Sequence, residues 1–215
     1  MLTQASRFHN RRTIAVCAIA GISAPIVFVI VLIVQTVLQP GYSHVTMPIS
    51  ALSALPSGWL QNVNFILSGA LVAMFAIGLH LGVQPTRRGG IGPALLVLSG
   101  VGNVIVGAFP WKDVGGRLSE PTGHTLGVFI AFLSAGIGFI VISKRFAVDP
   151  RWQTEVRYAL TTGIAIIILF FGFGAFAESA DAPLHPWAGI VQRVLAGVWF
   201  AGLVRLGLRL WRVAT

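Results

Sequence analysis

Six long apolar segments constrain the fold of this chain more than any other feature. They cover about residues 13–38, 60–81, 91–109, 122–143, 158–177 and 188–210. A helix needs about 20 mostly apolar residues to cross a bilayer, and an open strand or loop cannot satisfy its backbone hydrogen bonds in lipid. The sequence therefore predicts an all-α membrane protein in which six transmembrane helices form a single domain over residues 1–215.

Composition excludes an ordinary soluble domain. Hydrophobic residues make up 55% of the chain and charged residues only 10%, whereas soluble domains carry roughly 25% charged residues. The formal net charge is +9, which in a soluble protein would point to nucleic acid. In a membrane protein, basic residues set the orientation and contact anionic headgroups. We therefore expect membrane lipids, and no nucleic acid, as partners.

The distribution of Lys and Arg predicts the side of the membrane on which each loop lies. Twelve of the 15 basic residues precede span one, close the chain at the end of span six, or lie between spans two and three or four and five. The remaining loops hold only Lys112 and Arg117, and Arg193 falls inside span six. Because cytoplasmic loops are enriched in Lys and Arg, we expect both termini in the cytoplasm and the protein in the plasma membrane.

Five tryptophans fall at the ends of the predicted spans. Trp59, Trp111 and Trp187 lie at the outer boundary, and Trp152 and Trp211 lie at the inner one. Tryptophan is enriched at both membrane–water interfaces, where its ring meets the headgroups. The five side chains are therefore expected to form an outer and an inner aromatic belt.

The three outward loops end alike, which suggests an internal repeat. A proline is followed within three residues by Gly58, Gly123 and Gly189, so that spans two, four and six begin in a similar way. The pattern indicates three tandem helical hairpins of like orientation, although the 25 glycines of the chain also allow chance alignments. Repeats in membrane proteins often place a site at their interface.

Polar residues inside a membrane are energetically expensive, so those that orientation does not explain mark candidate sites. Most of them lie in the outward loops or in the outer halves of the spans. We predict a ligand-binding pocket there, formed by Ser50, Ser53, Gln61, Asn64, Asn103, Asp113, His124 and Arg193. Interhelical hydrogen bonding is the alternative for Gln61 and Asn64, which share one helix face.

Arg193 is the most informative single residue. A guanidinium stays charged at any accessible pH, and burying it unpaired costs several kcal/mol. We therefore expect Arg193 to pair with a carboxylate, with Asp113 as first choice and Glu178 as second. Binding of an anionic ligand or headgroup, and snorkelling to the membrane surface, are the alternatives.

Three histidines from three outward loops raise the question of a metal. His44, His124 and His185 could together hold a zinc ion, because three histidines leave one coordination position for water. They lack the local spacing of zinc motifs, so we expect no metal and no cofactor. The catalytic candidates, if the protein is an enzyme, are His124, Asp113 and Ser50.

Three functions are consistent with these residues. The leading hypothesis is an outward-facing polar pocket that binds a lipid-like or amphipathic ligand, or a membrane-protein partner. The alternative is an outward-facing membrane hydrolase that uses His124 and Asp113, with or without metal. A transporter is the second alternative, and the apolar inner halves of the spans argue against it because a transport path needs polar groups throughout.

Four short motifs resemble a known group of membrane proteins. They are Ser50-x-x-Ser53, Asn64-Phe65-x-x-x-Gly69, Gly107-x-Phe109-Pro110-x-x-Asp113 and Gly123-His124. Together they resemble the bacterial and archaeal membrane family named domain of unknown function 998, over about residues 14–210. The resemblance implies a six-helix integral membrane protein and carries no assigned activity.

A more distant likeness is to the superfamily of alkaline ceramidases and adiponectin receptors. These membrane hydrolases use a serine, an aspartate and three histidines around zinc. Ser50, Asp113 and His124 could be placed in such a scheme. This chain departs from the pattern because it has six spans and a lone His185 in place of paired late histidines.

Overall fold

The computed structural model describes residues 4–215, with side chains from Arg11 onward, so the side chain of Arg7 lies outside what is described. Within this range six α-helices are long and apolar enough to cross a membrane, which confirms the predicted fold class. They are α1 Gln4–Val37, α2 Gly58–Gly82, α3 Ile91–Ala108, α4 Thr122–Phe146, α5 Val156–Phe173 and α6 Ala188–Ala214.

The six helices pack in a ring in chain order. Each helix packs on its neighbours in the chain and α6 returns to α1, with α5 and α6 in the least extensive contact. The three long loops, residues 38–57, 109–121 and 174–187, meet at one end of the bundle, which we call the loop end. The start of α1, the end of α6 and residues 83–90 and 147–155 form the other end, the terminal end. Helices pair between hairpins as well as within them, so the three-hairpin repeat stays a prediction.

Facing glycines bring α2, α3, α4 and α5 close together. A Cβ atom added to Gly100 of α3 would lie 2.5 Å from the carbonyl oxygen of Gly69 on α2, so a side chain there would force the helices apart. The same arrangement recurs at Gly102–Gly127 and at Gly136–Gly163. Small residues allow such close backbone approach, which favours helix association in lipid. The α5–α6 side of the ring is correspondingly the looser one.

The loop end contains short elements that the hydropathy pattern does not predict. Strands β1 Lys112–Val114 and β2 Arg117–Ser119 form an antiparallel hairpin. Its turn residues Gly115 and Gly116 have φ of 63° and 83°, a region in which glycine is favoured. A 3₁₀ helix, Ile49–Ala54, precedes α2, and α5 ends in a π-helical turn, Gly174–Glu178. A further 3₁₀ turn, His185–Trp187, leads into α6.

A buried arginine closes the terminal end. Arg145, near the end of α4, is only 5% exposed, and its guanidinium donates hydrogen bonds to the carbonyl oxygens of Gln84, Gly89 and His80 at 2.9–3.0 Å, and to that of Val83. The last carbonyls of a helix have no partner within it, and Arg145 supplies donors at the end of α2. In the sequence Arg145 is only one of the basic residues that indicate orientation. Its hydrogen bonds to the end of α2 add a structural role.

Asp149 complements this arrangement from the loop after α4. Its buried carboxylate accepts hydrogen bonds from the main-chain N–H of Gln84 at 2.8 Å and from the Arg151 side chain at 2.8 Å. Burial alone would raise the pKa of Asp149, but the hydrogen bonds from Arg151 and Gln84 outweigh it and hold the pKa below its usual value. Arg145 and Asp149 are therefore both buried and hydrogen-bonded.

The expected inner aromatic belt is wrong at one position. Trp152 is fully buried and stacks on Phe146, with ring centroids 4.6 Å apart and planes 14° apart. The 3₁₀ helix Gln153–Glu155 follows it and the loop from 147 turns the ring inward, so it belongs to the core and not to the interface. The rings of Trp59, Trp187 and Trp211 are exposed, as a membrane interface requires.

Candidate functional site

A polar cleft of about 420 Å³ opens at the loop end. The 3₁₀ helix Ile49–Ala54, the hairpin, the start of α4, the π-helical turn and the start of α6 surround it. Its polar lining residues are Thr46, Ser50, Glu120, Glu178, His185 and Gln192. Clefts of this size bind small molecules, and we refer to this one as the cleft.

A second cavity of about 330 Å³ runs from the cleft between α4 and α5. Phenylalanines dominate its lining, and two of them, Phe129 and Phe171, are exposed on the outside of the bundle. In a membrane this lateral groove faces hydrocarbon. Four residues line both cavities, namely Glu120, Val128, Phe173 and Glu178, so the polar cleft and the apolar groove are continuous.

A third cavity, the inner chamber, lies beneath the cleft and measures about 40 Å³. Ser50, Val128 and Gln192 line both the chamber and the cleft, and Val128 also lines the groove. The indole N–H of Trp199 faces no hydrogen-bond partner within residues 11–215, although the side chain is only 3% exposed and lines the chamber. The chamber lining is mostly apolar, and Ser50, Asn103 and Gln192 are its polar side chains.

Ser50 and Ser53 have different environments although both are buried. Ser53 Oγ donates to the Ser50 carbonyl at 2.6 Å and accepts from the Trp111 N–H at 3.0 Å, which fixes the hairpin against the 3₁₀ helix. The Ser50 hydroxyl has no hydrogen bond to any residue that the structure describes, and it lines the cleft and the chamber. Ser50 is therefore available to a ligand, whereas Ser53 is occupied.

The amide residues are divided between the chamber and helix packing. Asn103 lines the chamber, and its Nδ2 donates to the Ser99 carbonyl at 3.1 Å. Asn64 Nδ2 donates to the Phe28 carbonyl at 3.1 Å, which ties α2 to α1. Gln61 is fully buried and its amide has no partner among the described residues. Neither Gln61 nor Asn64 is among the lining residues of the cleft, the groove or the chamber.

His124 and Asp113 occupy separate environments. His124 is fully buried at the start of α4, between the rings of Phe65 and Trp111, with Nδ1 2.9 Å from the Phe109 carbonyl oxygen. Its Nε2 has no partner within the described part of the chain. Asp113 is exposed on β1, and its carboxylate accepts the Gly116 N–H at 2.7 Å. The structure thus does not join the two residues by a hydrogen bond.

The predicted ion pair of Arg193 is wrong. One guanidinium nitrogen donates to the carbonyl oxygens of His44, Gly189 and Met47 at 2.9, 2.8 and 3.3 Å, and another donates to the Tyr42 hydroxyl at 2.7 Å. The first long loop folds over the start of α6 and offers these oxygens. Three neutral carbonyl oxygens share the two N–H groups of one guanidinium nitrogen and together replace the carboxylate.

The proposed carboxylate partners lie elsewhere. The only two ion pairs within residues 11–215 are Arg151–Asp149 and Arg205–Glu155, at 2.8 and 2.7 Å, and both are at the terminal end. Neither Asp113 nor Glu178 is bonded to Arg193. Arg193 affects the neighbouring Tyr42. Burial raises the pKa of the Tyr42 hydroxyl, and the charge and hydrogen bond of Arg193 partly oppose that shift.

The three histidines considered for metal do not converge. No group of three His, Cys, Asp or Glu side chains within residues 11–215 has the geometry to hold an ion. His44 is exposed beside Tyr42, and His185 Nδ1 is 3.3 Å from the Ala177 carbonyl oxygen. The absence of bound zinc in the purified protein stays a prediction.

Two carboxylates outside the predicted site, Glu120 and Glu178, are the acidic side chains that line the cleft. Burial raises the pKa of Glu120, the negative charge of Glu178 raises it further, and a hydrogen bond from Thr125 Oγ1 at 2.9 Å lowers it. Both residues flank spans on the loop side, which the sequence shows, but their proximity depends on the packing of α4 against α5. The apolar lining residues Val128 and Trp199 carry no sequence signal, because a membrane helix is apolar on every face.

Comparison with known proteins gives a family and no activity. No curated protein and no solved structure matches the chain. The family model described as "Protein of unknown function (DUF998)" matches residues 22–209, which covers α2 to α5 in whole, most of α6 and the second half of α1 from residue 22. The chain therefore belongs to the DUF998 family, as its short motifs suggested.

Proposed function

We propose that this protein binds an amphipathic, lipid-like ligand, with the head in the cleft and the hydrocarbon chain in the lateral groove. The observation that carries this proposal is the continuity of the two cavities through Glu120, Val128, Phe173 and Glu178. The cleft offers polar side chains to the head of an amphipath, and the adjoining groove offers aromatic side chains to its hydrocarbon chain. Their volumes fall within the range of small-molecule sites.

Access from the bilayer supports the same function. Phe129 and Phe171 are exposed at the groove, so an alkyl chain can enter between α4 and α5 without leaving apolar surroundings. The head then meets polar groups at the level of the outward loops. Transfer of a chain from lipid to this groove exposes little apolar surface to water, which keeps the binding cost low.

The loop end faces outward in this proposal, with both termini in the cytoplasm and the protein in the plasma membrane. Support comes from the twelve-to-two distribution of basic residues between the two ends. A single cysteine introduced at exposed Asp181 or Gly116 is expected to react with a membrane-impermeant reagent in whole cells, whereas one at Arg87 is not. Labelling of Arg87→Cys from outside would contradict the orientation.

The geometry favours neither of the other two hypotheses. A hydrolase using His124 lacks a hydrogen-bonded Asp113. For a transporter, cavities near Arg145 at the terminal end share no lining residue with the cleft, groove or chamber, among the residues described. A site open at one end and to the lateral membrane fits binding better than passage.

Val128 offers the sharpest test, because its side chain lines all three cavities. We expect Val128→Trp to fill the junction and to lower the fraction of protein that retains a lipid-like adduct in native mass spectrometry by about tenfold. Leu126→Trp is the matched control, since Leu126 lies on the same helix, is exposed to the membrane and lines none of these cavities.

The comparison is informative only for folded variants, so thermal unfolding of both is measured first. Val128→Phe, a smaller change, replaces Val128→Trp if the latter does not fold. Equal retention of the adduct by the Val128 variant and by Leu126→Trp would overturn the proposed site.

A further inference from the structure

We propose that the ligand of the cleft carries a positively charged amine or ammonium head. This inference rests on the proposed function, because it assigns the chemistry of the ligand that the cleft and groove accept. It follows from the charges at the junction of the two cavities, and from a buried hydroxyl that lines the cleft.

Two carboxylates stand at the place where head and chain of an amphipath would join. Glu120 and Glu178 line both the cleft and the groove. Neither forms an ion pair within residues 11–215, and no Lys or Arg is among the lining residues of either cavity. Burial raises the pKa of Glu120, and the charge of Glu178 raises it further. A ligand cation between them removes this repulsion and supplies charge-assisted hydrogen bonds.

Ser50 provides an independent indication of a ligand. Its side chain is 4% exposed, its hydroxyl has no partner among the described residues, and it lines the cleft. Buried hydroxyls are normally hydrogen-bonded, because leaving one unpaired is costly. An amine N–H can donate to Ser50 Oγ, and the hydroxyl can also serve a polar group next to the amine.

Aromatic rings favour the same charge. Trp111 and Phe173 line the cleft, and the faces of aromatic rings attract ammonium groups. A phosphate or sulfate head would meet two carboxylates, and His185 is the one basic side chain in the cleft lining. A sugar head would leave both carboxylates without a counter-charge. The cationic head is the one that complements the groups on the walls.

The test uses four dodecyl amphipaths that share one chain and differ in the head. They are dodecyltrimethylammonium, dodecylphosphocholine, dodecyl maltoside and dodecyl sulfate, titrated calorimetrically into the full chain in phosphatidylcholine nanodiscs, with empty nanodiscs subtracted. We expect the ammonium compound to bind at least about tenfold more tightly than the maltoside. Glu120→Gln with Glu178→Gln is expected to reduce that ratio to less than about twofold.

A matched control separates local from general charge effects. Asp113→Asn with Asp181→Asn also removes two charges from the loop end, but neither residue lines the cleft or the groove. We expect this double variant to keep the wild-type preference, since both carboxylates are exposed and exposed charges are screened by salt. Thermal unfolding confirms that both double variants are folded before their titrations are compared.

Each outcome decides the inference. Preference for the ammonium head that only the Glu120 and Glu178 variant loses supports it. Saturable binding without head preference, or a preference that both double variants lose alike, overturns the cationic head while the proposed amphipath site stands. Lack of saturable binding for all four compounds overturns the proposed function together with the inference.

Discussion

The two ends of the bundle differ in how their charged groups are bonded. At the terminal end the donors of Arg145 meet carbonyl oxygens at the end of α2, and the carboxylate of Asp149 meets main-chain and arginine donors. At the loop end the Ser50 hydroxyl and the Trp199 indole N–H have no partner in the described part of the chain. Glu120 accepts a hydrogen bond from Thr125, but neither it nor the exposed Glu178 forms an ion pair among these residues. Satisfied buried groups fix a structure, whereas unsatisfied ones call for an explanation such as a ligand.

Arginine shows the same contrast on a smaller scale. Arg145 is buried and closes one end, while Arg193 is partly exposed and fastens the first long loop beside the cleft. Both donate to backbone carbonyls and not to carboxylates. The difference lies in which cavity adjoins them. Arg193 adjoins the cleft through its neighbour Gln192, whereas the cavities that Arg145 lines share no lining residue with the cleft, groove or chamber. The terminal end is therefore expected to carry stability, and the loop end binding.

The largest effect is expected from Arg145→Ala. The change leaves carbonyl oxygens of Gln84, Gly89 and His80 without their donor in a buried site, at a cost of about 3 kcal/mol or more in the free energy of unfolding. Arg145→Lys should recover part of it, because one ammonium cannot reach all the oxygens that the planar guanidinium reaches. Thermal unfolding in detergent measures both. The control is Lys144→Ala, because Lys144 is the exposed neighbour of Arg145. An equal loss of unfolding free energy in both variants would contradict a special stabilising role of the terminal end.

Asp149→Asn should have the next largest effect, and its effect depends on pH. The pKa of Asp149 is lower in the folded than in the unfolded state. The ionised carboxylate therefore stabilises the fold at pH values above the unfolded-state pKa. This stabilisation is lost as the pH falls through the folded-state pKa. We expect Asp149→Asn to cost about 1–3 kcal/mol at neutral pH and much less in acid. Asp181→Asn, at an exposed residue, should be neutral throughout. A cost that does not decrease in acid would contradict this role of the charge.

Arg193→Ala tests the correction at the loop end. Loss of its hydrogen bonds to the first long loop should cost about 1–2 kcal/mol. Since Asp113 is bonded within its own hairpin, Arg193→Ala and Asp113→Asn should act additively in a double-mutant cycle of thermal unfolding. A coupling energy clearly above about 0.5 kcal/mol would restore the ion pair that the sequence suggested.

The smallest effect is expected from Glu120→Gln. Burial raises the pKa of Glu120 in the folded state. As the pH rises above the unfolded-state pKa, ionisation of this carboxyl group therefore destabilises the folded state. The variant should therefore be slightly more stable than wild type at pH 8, by less than about 1 kcal/mol, and indistinguishable near pH 4. Unfolding temperatures at the two pH values provide the measurement. Destabilisation at pH 8 would show that a cation already pairs with Glu120 in the free protein.

Hydropathy sufficed to predict the six helices, because lipid imposes one length and one composition on every span. It did not predict the hairpin Lys112–Ser119, whose two short, exposed strands bury no apolar pattern. Counting basic residues cannot distinguish a surface cation from a buried one, so Arg145 was assigned to orientation alone. The ion pair predicted for Arg193 is wrong because its acceptors are backbone carbonyl oxygens of a distant loop, and a sequence does not show which carbonyls come close.

The candidate site was only partly within reach of the sequence. Ser50 and Asn103 are polar residues in apolar surroundings, and both line a cavity. Gln61 and Asn64 gave the same signal but lie elsewhere, because the sequence does not say which face of α2 meets α1. Val128 gave no signal at all, although it joins the three cavities.

Photo-crosslinking tests the central claim, a site for an amphipath at the loop end, most directly. A dodecyl amphipath with a diazirine at the end of its chain is irradiated with the full chain in nanodiscs, and the labelled peptides are mapped by mass spectrometry. The account predicts labelling around Phe129 of α4 and Phe170 of α5 that excess unlabelled amphipath prevents and that Val128→Trp abolishes. Labelling spread evenly over all lipid-facing helices and unaffected by competitor would contradict it.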